Sequence, residues 1–356
     1  MPIRRSFIAV VAAAMLVASI VAIRAGKRSS PHSEPSVGTA TAATTTAGPA
    51  DARIQRAQAI IQKSSNKPEG YNLLASAYLQ KARETGDRSF NQKAEASLER
   101  VFAIQPQNYD ALKLRAKLML TNHRFQEALE ITRRAQLSRQ DDADVYGAIT
   151  DAQVELGNYP EAIAASQRMV DLRPDTSAYS RISYLRSLHG DTEGAIKAMR
   201  VAVTAADPGD REAMAWCRVQ LGDELLNANQ RGEAEREYDK ALLIFPGHRS
   251  ALEAKARARA IAGDFDGAIA IYQQQQATSP SADAALALAD LHTLLGRTDE
   301  AKRNYDLFET LERHNAEIEK SWAHLIHYWL DHDKNLTEAL VRARREREQR
   351  MDIFTC

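Results

Sequence analysis

Gly157-Asn-Tyr-Pro-Glu-Ala-Ile163 is the stretch on which the fold turns. Two later stretches repeat its outline, Gly263-Asp-Phe-Asp-Gly-Ala-Ile269 and Gly296-Arg-Thr-Asp-Glu-Ala-Lys302. The alanine near its end recurs along the chain at Ala94, Ala128, Ala162, Ala195, Ala234, Ala268, Ala301 and Ala339, with gaps of 34, 34, 33, 39, 34, 33 and 38 residues. A fixed period of this length is the signature of a repeat array. Glycines precede several of these alanines, at Gly157, Gly190, Gly263 and Gly296, and prolines follow at Pro106, Pro174, Pro246 and Pro280. Each unit therefore has a turn in its middle and a break at its end.

A second small residue stands twelve positions before most of the alanines: Ala116, Thr150, Ser183, Gly222, Ala256 and Ala289, with Ala75 in the first unit. Two small side chains face to face let two helix backbones approach, and apolar residues at helical spacing surround them, as in Tyr146, Ile149, Ile163 and Met169. Composition agrees with an all-α chain, since Ala, Leu, Glu, Arg and Gln dominate and aromatic residues make up only 6%.

The three quoted stretches resemble the tetratricopeptide repeat. The resemblance runs from about Pro68 to Gln349, some eight units, after a leading helix near Asp51 to Gln62. It implies an all-α, right-handed α-solenoid of about eight helical hairpins, whose first helices line a concave groove for a peptide or protein. Such an array folds only as a stack, because one hairpin cannot bury its own apolar face. The positions that line the groove in this family carry Lys113 and Lys117, Asp144 and Asp151, Ser180 and Tyr184, Trp216 and Asp223, Glu253 and Arg257, then Asp283 and Asp290. This lining runs from basic through aromatic to acidic. Tyr184 and Trp216 are its candidate anchors, since aromatic side chains carry much of the energy at interfaces.

The family's two-carboxylate clamp is missing. Lys113 and Lys117 are followed by Gly147 and Asp151, then by Ser180 and Tyr184, so heat-shock chaperone tails are not expected partners. Other departures are extra residues: about seven around Arg83 to Phe90, about five before Ala234 and about four before Ala339, all expected as loops. Arg115, Arg218 and Lys255 replace large apolar residues of the family pattern, and His327 replaces the small residue of the last unit.

Charge and motifs remove other functions. Lys plus Arg and Asp plus Glu are both 47, which leaves no summed field for nucleic acid. No P-loop, dinucleotide glycine fingerprint, His-Glu-x-x-His or Gly-x-Ser-x-Gly motif occurs, so no enzyme activity and no cofactor are expected. His324 and His327 share a helical face, but without a spaced third ligand they read as ordinary histidines, not a metal site. Cys217 and Cys356 form no redox or metal pair.

The N-terminus speaks to location. Arg4 and Arg5 precede an apolar run from Phe7 to Ile23, closed by Arg24, Lys27 and Arg28. Residues 1–25 read as a signal peptide or a signal-anchor helix, and residues 26–50, rich in Ser, Thr, Pro and Ala, as a tether. The solenoid at 51–350 is thus expected outside the cytoplasm, exported or held at a membrane by this segment alone. Residues 351–356 form a tail: a ninth unit would begin near Phe354, so the last hairpin is either packed over by Ile353 and Phe354 or followed by more array. Two functions fit: a scaffold that docks a partner in the groove, or an accessory subunit of an envelope enzyme or secretion assembly.

Overall fold

The computed structural model describes residues 49–319 and 321–349. The expected signal or anchor segment, most of the tether and the tail fall outside them. Every element among the described residues is a helix. Helix α1 (Pro49–Lys63) leads. Unit one is α2 (Pro68–Thr85) with α3 (Ser89–Ile104), and unit two is α4 (Tyr109–Thr121) with α5 (Phe125–Ser138). Unit three is α6 (Ala143–Glu155) with α7 (Tyr159–Leu172), and unit four α8 (Thr176–Leu188) with α9 (Thr192–Thr204). Unit five is α10 (Arg211–Asn227) with α11 (Arg231–Ile244), and unit six α12 (Arg249–Ile261) with α13 (Phe265–Thr278). Unit seven is α14 (Ala282–Leu294) with α15 (Thr298–Glu319), and unit eight α16 (Ala323–Asp331) with α17 (Leu336–Gln349). The helices stack as an α-solenoid of eight hairpins. Among the described residues no helix is long and apolar enough to cross a membrane.

The alanine register sits where the hairpins close. All eight period alanines are buried, Ala94, Ala128, Ala162, Ala195, Ala234 and Ala268 fully so. Opposite them Ala75, Ala116, Thr150, Ser183, Ala256 and Ala289 are buried too. Gly222 shows why size matters: any side chain there would enter the ring of the buried Tyr238. Between the helices of units three, four, six and seven, Gly157, Gly190, Gly263 and Gly296 have φ between 71° and 88°, the left-handed region. Units two and five lack the glycine, and His123 (φ 55°) and Asn229 (φ 60°) take the same conformation. The first helices are capped from their own sequence. Asn108, Asp175, Asp210 and Ser281 accept the backbone N–H three residues on.

Two expectations change. The extra residues of units one, five and seven lie largely in helices and not in loops: α2 has 18 residues and α10 17 where α4, α6, α8, α12 and α14 have 13, and α15 has 22. Added residues that continue a helix keep their backbone hydrogen bonds, which a loop would surrender to water. In unit eight His327 is exposed, and Leu325, Tyr328 and Trp329 take the buried positions. The nine-residue α16 thus packs with its own register around large side chains, Trp329 being fully buried.

Successive first helices touch one another from α2 through α4, α6, α8 and α10 to α12, whereas successive second helices are less closely packed. Elements on the inside of a curve lie closer together than those outside. The first helices therefore form the concave wall.

Candidate binding groove

The groove residues belong to α4, α6, α8, α10, α12 and α14, and the structure ties most of their charges to each other. Lys113 Nζ donates to Asp142 Oδ2 at 2.7 Å and to Asp144 Oδ2 at 3.0 Å, across from α4 to the start of α6. Asp144 also pairs with Arg173. Burial alone would raise the Asp144 carboxyl, but Lys113 and Arg173 outweigh it and hold it below the usual range. Asp151, buried on α6, receives a two-pronged pair from Arg181 of α8, Nε to Oδ1 at 2.8 Å and Nη2 to Oδ2 at 2.6 Å. Arg181 also donates to the Gly147 carbonyl at 3.2 Å, and a Cβ on Gly147 would come within 3.2 Å of the guanidinium carbon. The glycine leaves room for the arginine.

The same link recurs two units later. Arg257 of α12 donates to Asp223 of α10 at 2.5 Å, and Tyr238 adds its hydroxyl to the same carboxylate at 2.9 Å. Burial pushes the Asp223 carboxyl up, with Arg257 and Tyr238 opposing. Asp290 accepts the Tyr305 hydroxyl at 2.8 Å and is likewise raised by burial. Asp283 stands 3.7 Å from Arg249, which itself pairs with Glu253 at 3.1 Å. Lys117 keeps some surface but lies deep in the groove. Loss of water, then the Arg83 and Arg181 cations, hold its ammonium well below the ordinary lysine range, against the pull of Asp144 and Glu212.

Tyr184 and Trp216 are half-buried. Tyr184 leans on Val154, Ala162 and Leu185, and Trp216 on the core of units four to six. Both keep a face towards solvent. The charges expected as a basic-to-acidic gradient are instead a ladder of pairs between successive first helices.

Sequence reasoning missed several groove residues. Arg181 and Arg249 lie outside the family's lining positions; the glycine at 147, 34 residues before Arg181, was the available signal for the first. The second omission is larger. The last turn of α2 and the short turn that follows it reach across the array: Arg83 Nε stands 3.8 Å from Glu212 Oε1 of α10, and Ser279 Oγ, just before α14, donates to the Thr85 carbonyl at 3.2 Å. Gly86, left-handed at φ 71°, has Arg249 against it so closely that a side chain would collide with the guanidinium. Arg88 enters the field of Glu312 and Asp283. Unit one thereby touches units five to seven.

His324 pairs with Glu312 at 3.0 Å. Among the described residues no group of three or more His, Cys, Asp or Glu is arranged to hold a metal ion.

Tetratricopeptide repeat models match residues 91–151, 149–211 and 219–282, just over half of the chain. The chain belongs to the tetratricopeptide repeat family. Arrays of this family are in general non-enzymatic scaffolds for contacts between proteins. Among solved structures, that of the APC/C hetero-tetramer Cut9–Hcn1 is similar at TM-score 0.51 and 14% identity, covering 74% of this chain and 49% of that one. This chain thus spans about half of that protein, and the likeness is one of fold. The structure of PilW, a widely conserved type IV pilus biogenesis factor, matches at TM-score 0.48 and 14% identity over 57% of this chain and 92% of its own. Pseudomonas aeruginosa pilF matches at 0.45 and 16% over 55% and 88%. No curated protein matches the chain.

Proposed function

We propose that this tetratricopeptide array is a scaffold that docks an extended segment of a partner protein on its concave row of first helices. The observation that carries the reading is the pairing of the inner wall. Asp151 with Arg181 and Asp223 with Arg257 fix neighbouring first helices to one another, while the half-buried rings of Tyr184 and Trp216 stay open between them. A wall held rigid before binding loses less entropy when a partner docks, and exposed aromatic faces supply the apolar contact. The Arg4–Arg28 segment supports a place outside the cytoplasm, with the array exported or held at a membrane through that segment.

The test is crosslinking of the full chain in cells from a photoreactive group placed at Ser180, followed by mass spectrometry. One protein recovered in fixed proportion, and lost on Trp216→Ala with Tyr184→Ala, supports the groove. The same protein recovered undiminished from the double variant would place its binding elsewhere. An enzyme among the recovered proteins would favour the accessory-subunit reading.

A further inference from the structure

The row of first helices from unit one to unit five closes on itself. Consecutive members touch from α2 through α4, α6 and α8 to α10. Arg83, in the last turn of α2, then meets Glu212, in the first turn of α10, at 3.8 Å, so the fifth helix of the row returns to the first. Lys117 of α4 lies inside this closure: the charges that act on it come from Arg83 on α2, Asp144 on α6, Arg181 on α8 and Glu212 on α10. Two further contacts flank the join. The Ser279 hydroxyl, ahead of α14, donates to the Thr85 carbonyl at 3.2 Å. Arg88, just before α3, stands in the field of Glu312 and Asp283 of unit seven, with Arg249 of unit six opposing.

The join differs in kind from the joints around the rest of the ring. Asp151 and Arg181, between α6 and α8, are buried and meet through two hydrogen bonds, whereas Arg83 and Glu212 are 30% and 38% exposed and stand near the limit of an ion pair. Among the described residues the apolar clusters follow the chain: one holds units one to three, another units four to six, and neither bridges unit one to units five to seven. A wet contact between charges, with no apolar area behind it, is weak and is weakened further by salt. We propose that the join is a gate: units one to five form a ring around the concave surface, and the ring opens between unit one and units five to seven to admit a partner to Tyr184 and Trp216. The proposal rests on the groove reading for what the gate admits, and on the ring contacts alone for the gate itself. Closed, the ring offers its inner wall only through its two ends. Open, it presents a row of first helices from the side. Parting the join exposes polar groups that water and salt satisfy, so opening leaves every hairpin and its apolar core intact.

Two measurements on the full chain test the gate, neither requiring a natural partner. Both use a Cys356→Ser background, in which Cys217 is fully buried and stays. In the first, Asp87→Cys and Thr278→Cys, at exposed positions on either side of the Thr85 to Ser279 bond, carry donor and acceptor dyes for single-molecule energy transfer. A high-transfer and a low-transfer population are expected. Their ratio should shift roughly fivefold towards low transfer between low salt and about 1 M salt, and by a similar factor at low salt when Arg83→Ala and Arg88→Ala are added. In the second, Ser180→Cys on α8 is labelled with a maleimide carried on a long polyethylene glycol chain. Labelling should be roughly fivefold faster when both arginines are alanine, while the small N-ethylmaleimide reacts equally with the two proteins. Circular dichroism checks that the variants keep their helices. A low-transfer population alone would overturn the ring. A single high transfer value that neither salt nor the arginine substitutions move, or equal labelling of position 180 by the large reagent, would overturn the gate. A partner recovered from Ser180 by a chain whose join stays shut would keep the scaffold reading and lose the gate; a join that opens on a groove recovering nothing would do the reverse, so the two fail separately.

Discussion

The inner and outer faces of this array use the same charged residues to different ends. On the inner face Asp151 and Arg181 are 4% and 11% exposed and meet through two hydrogen bonds. On the outer face Lys197 and Glu193, on one helix, are 72% and 81% exposed and meet at 2.6 Å. A buried pair with one partner removed leaves an ion without water, whereas an exposed pair merely returns to solvent. The inner pairs therefore set how one unit sits on the next. The outer ones keep the surface soluble.

The contrast is broken most directly at Arg181. Arg181→Ala strands the Asp151 carboxylate and also removes the bonds to Gly147 and Ser177, and should cost about 3 to 5 kcal/mol. Chemical denaturation of the two proteins measures it. A loss under about 1 kcal/mol would show that water reaches Asp151 and that the inner wall is no more specified than the outer.

Ala195 lies between the faces. Its carbonyl accepts the Ser183 hydroxyl at 2.8 Å, and it is fully buried where α9 crosses α8. Ala195→Trp should overpack this crossing by about 1 to 3 kcal/mol, and Ala339→Trp by less, because an end unit has a neighbour on one side only. Equal drops in melting temperature would refute that ranking, and an unchanged melt at 195 would refute the register itself.

That register was legible because it is local: a small residue every 33 or 34 positions, stretched to 39 and 38 at two units, needs only counting. The hairpins, their turns and the buried alanines follow from it. What could not be read was whatever joins units that the period does not relate. Arg181 reaches Asp151 past position 147, where glycine leaves it room, a relation spread over 34 residues. The Ser279 to Thr85 bond spans 194 residues, and its existence depends on the curvature of the whole stack. The extra residues before Ala234 and Ala339 were visible as length, but length does not tell a loop from a longer helix. Backbone hydrogen bonding decided for helix.

Acid and base separate the faces in a third way. Glu224 on α10 is buried, holds the Ser187 hydroxyl at 3.1 Å, and follows Asp223 in sequence; burial, with Asp223 adding, raises its carboxyl to about 7. A raised folded value means that the folded state holds the proton more tightly than the unfolded one. Stability is then full below the ordinary value of 4.5 and is lost as pH rises through about 7. The slope from this group should be on the order of 1 kcal/mol per pH unit in that window. Glu224→Gln should flatten it, leaving the variant more stable than the parent at high pH and close to it at low pH. Parallel curves for the two proteins would show that Glu224 is ionised and hydrated throughout.

The smallest effect is expected where both partners are wettest. Lys197→Ala breaks the pair with Glu193 on α9, one turn away, and an exposed pair at this spacing is worth roughly 0.3 to 0.5 kcal/mol. Removing the ammonium also lets the glutamate, near the positive end of the helix, keep its favourable interaction with the backbone dipole, which trims the loss further. Denaturation midpoints in low and high salt should differ from the parent by little and converge as salt rises. A loss above about 1 kcal/mol that survives high salt would mean that α9 is covered by something in solution, and dependence of that loss on protein concentration would name a second copy of the chain.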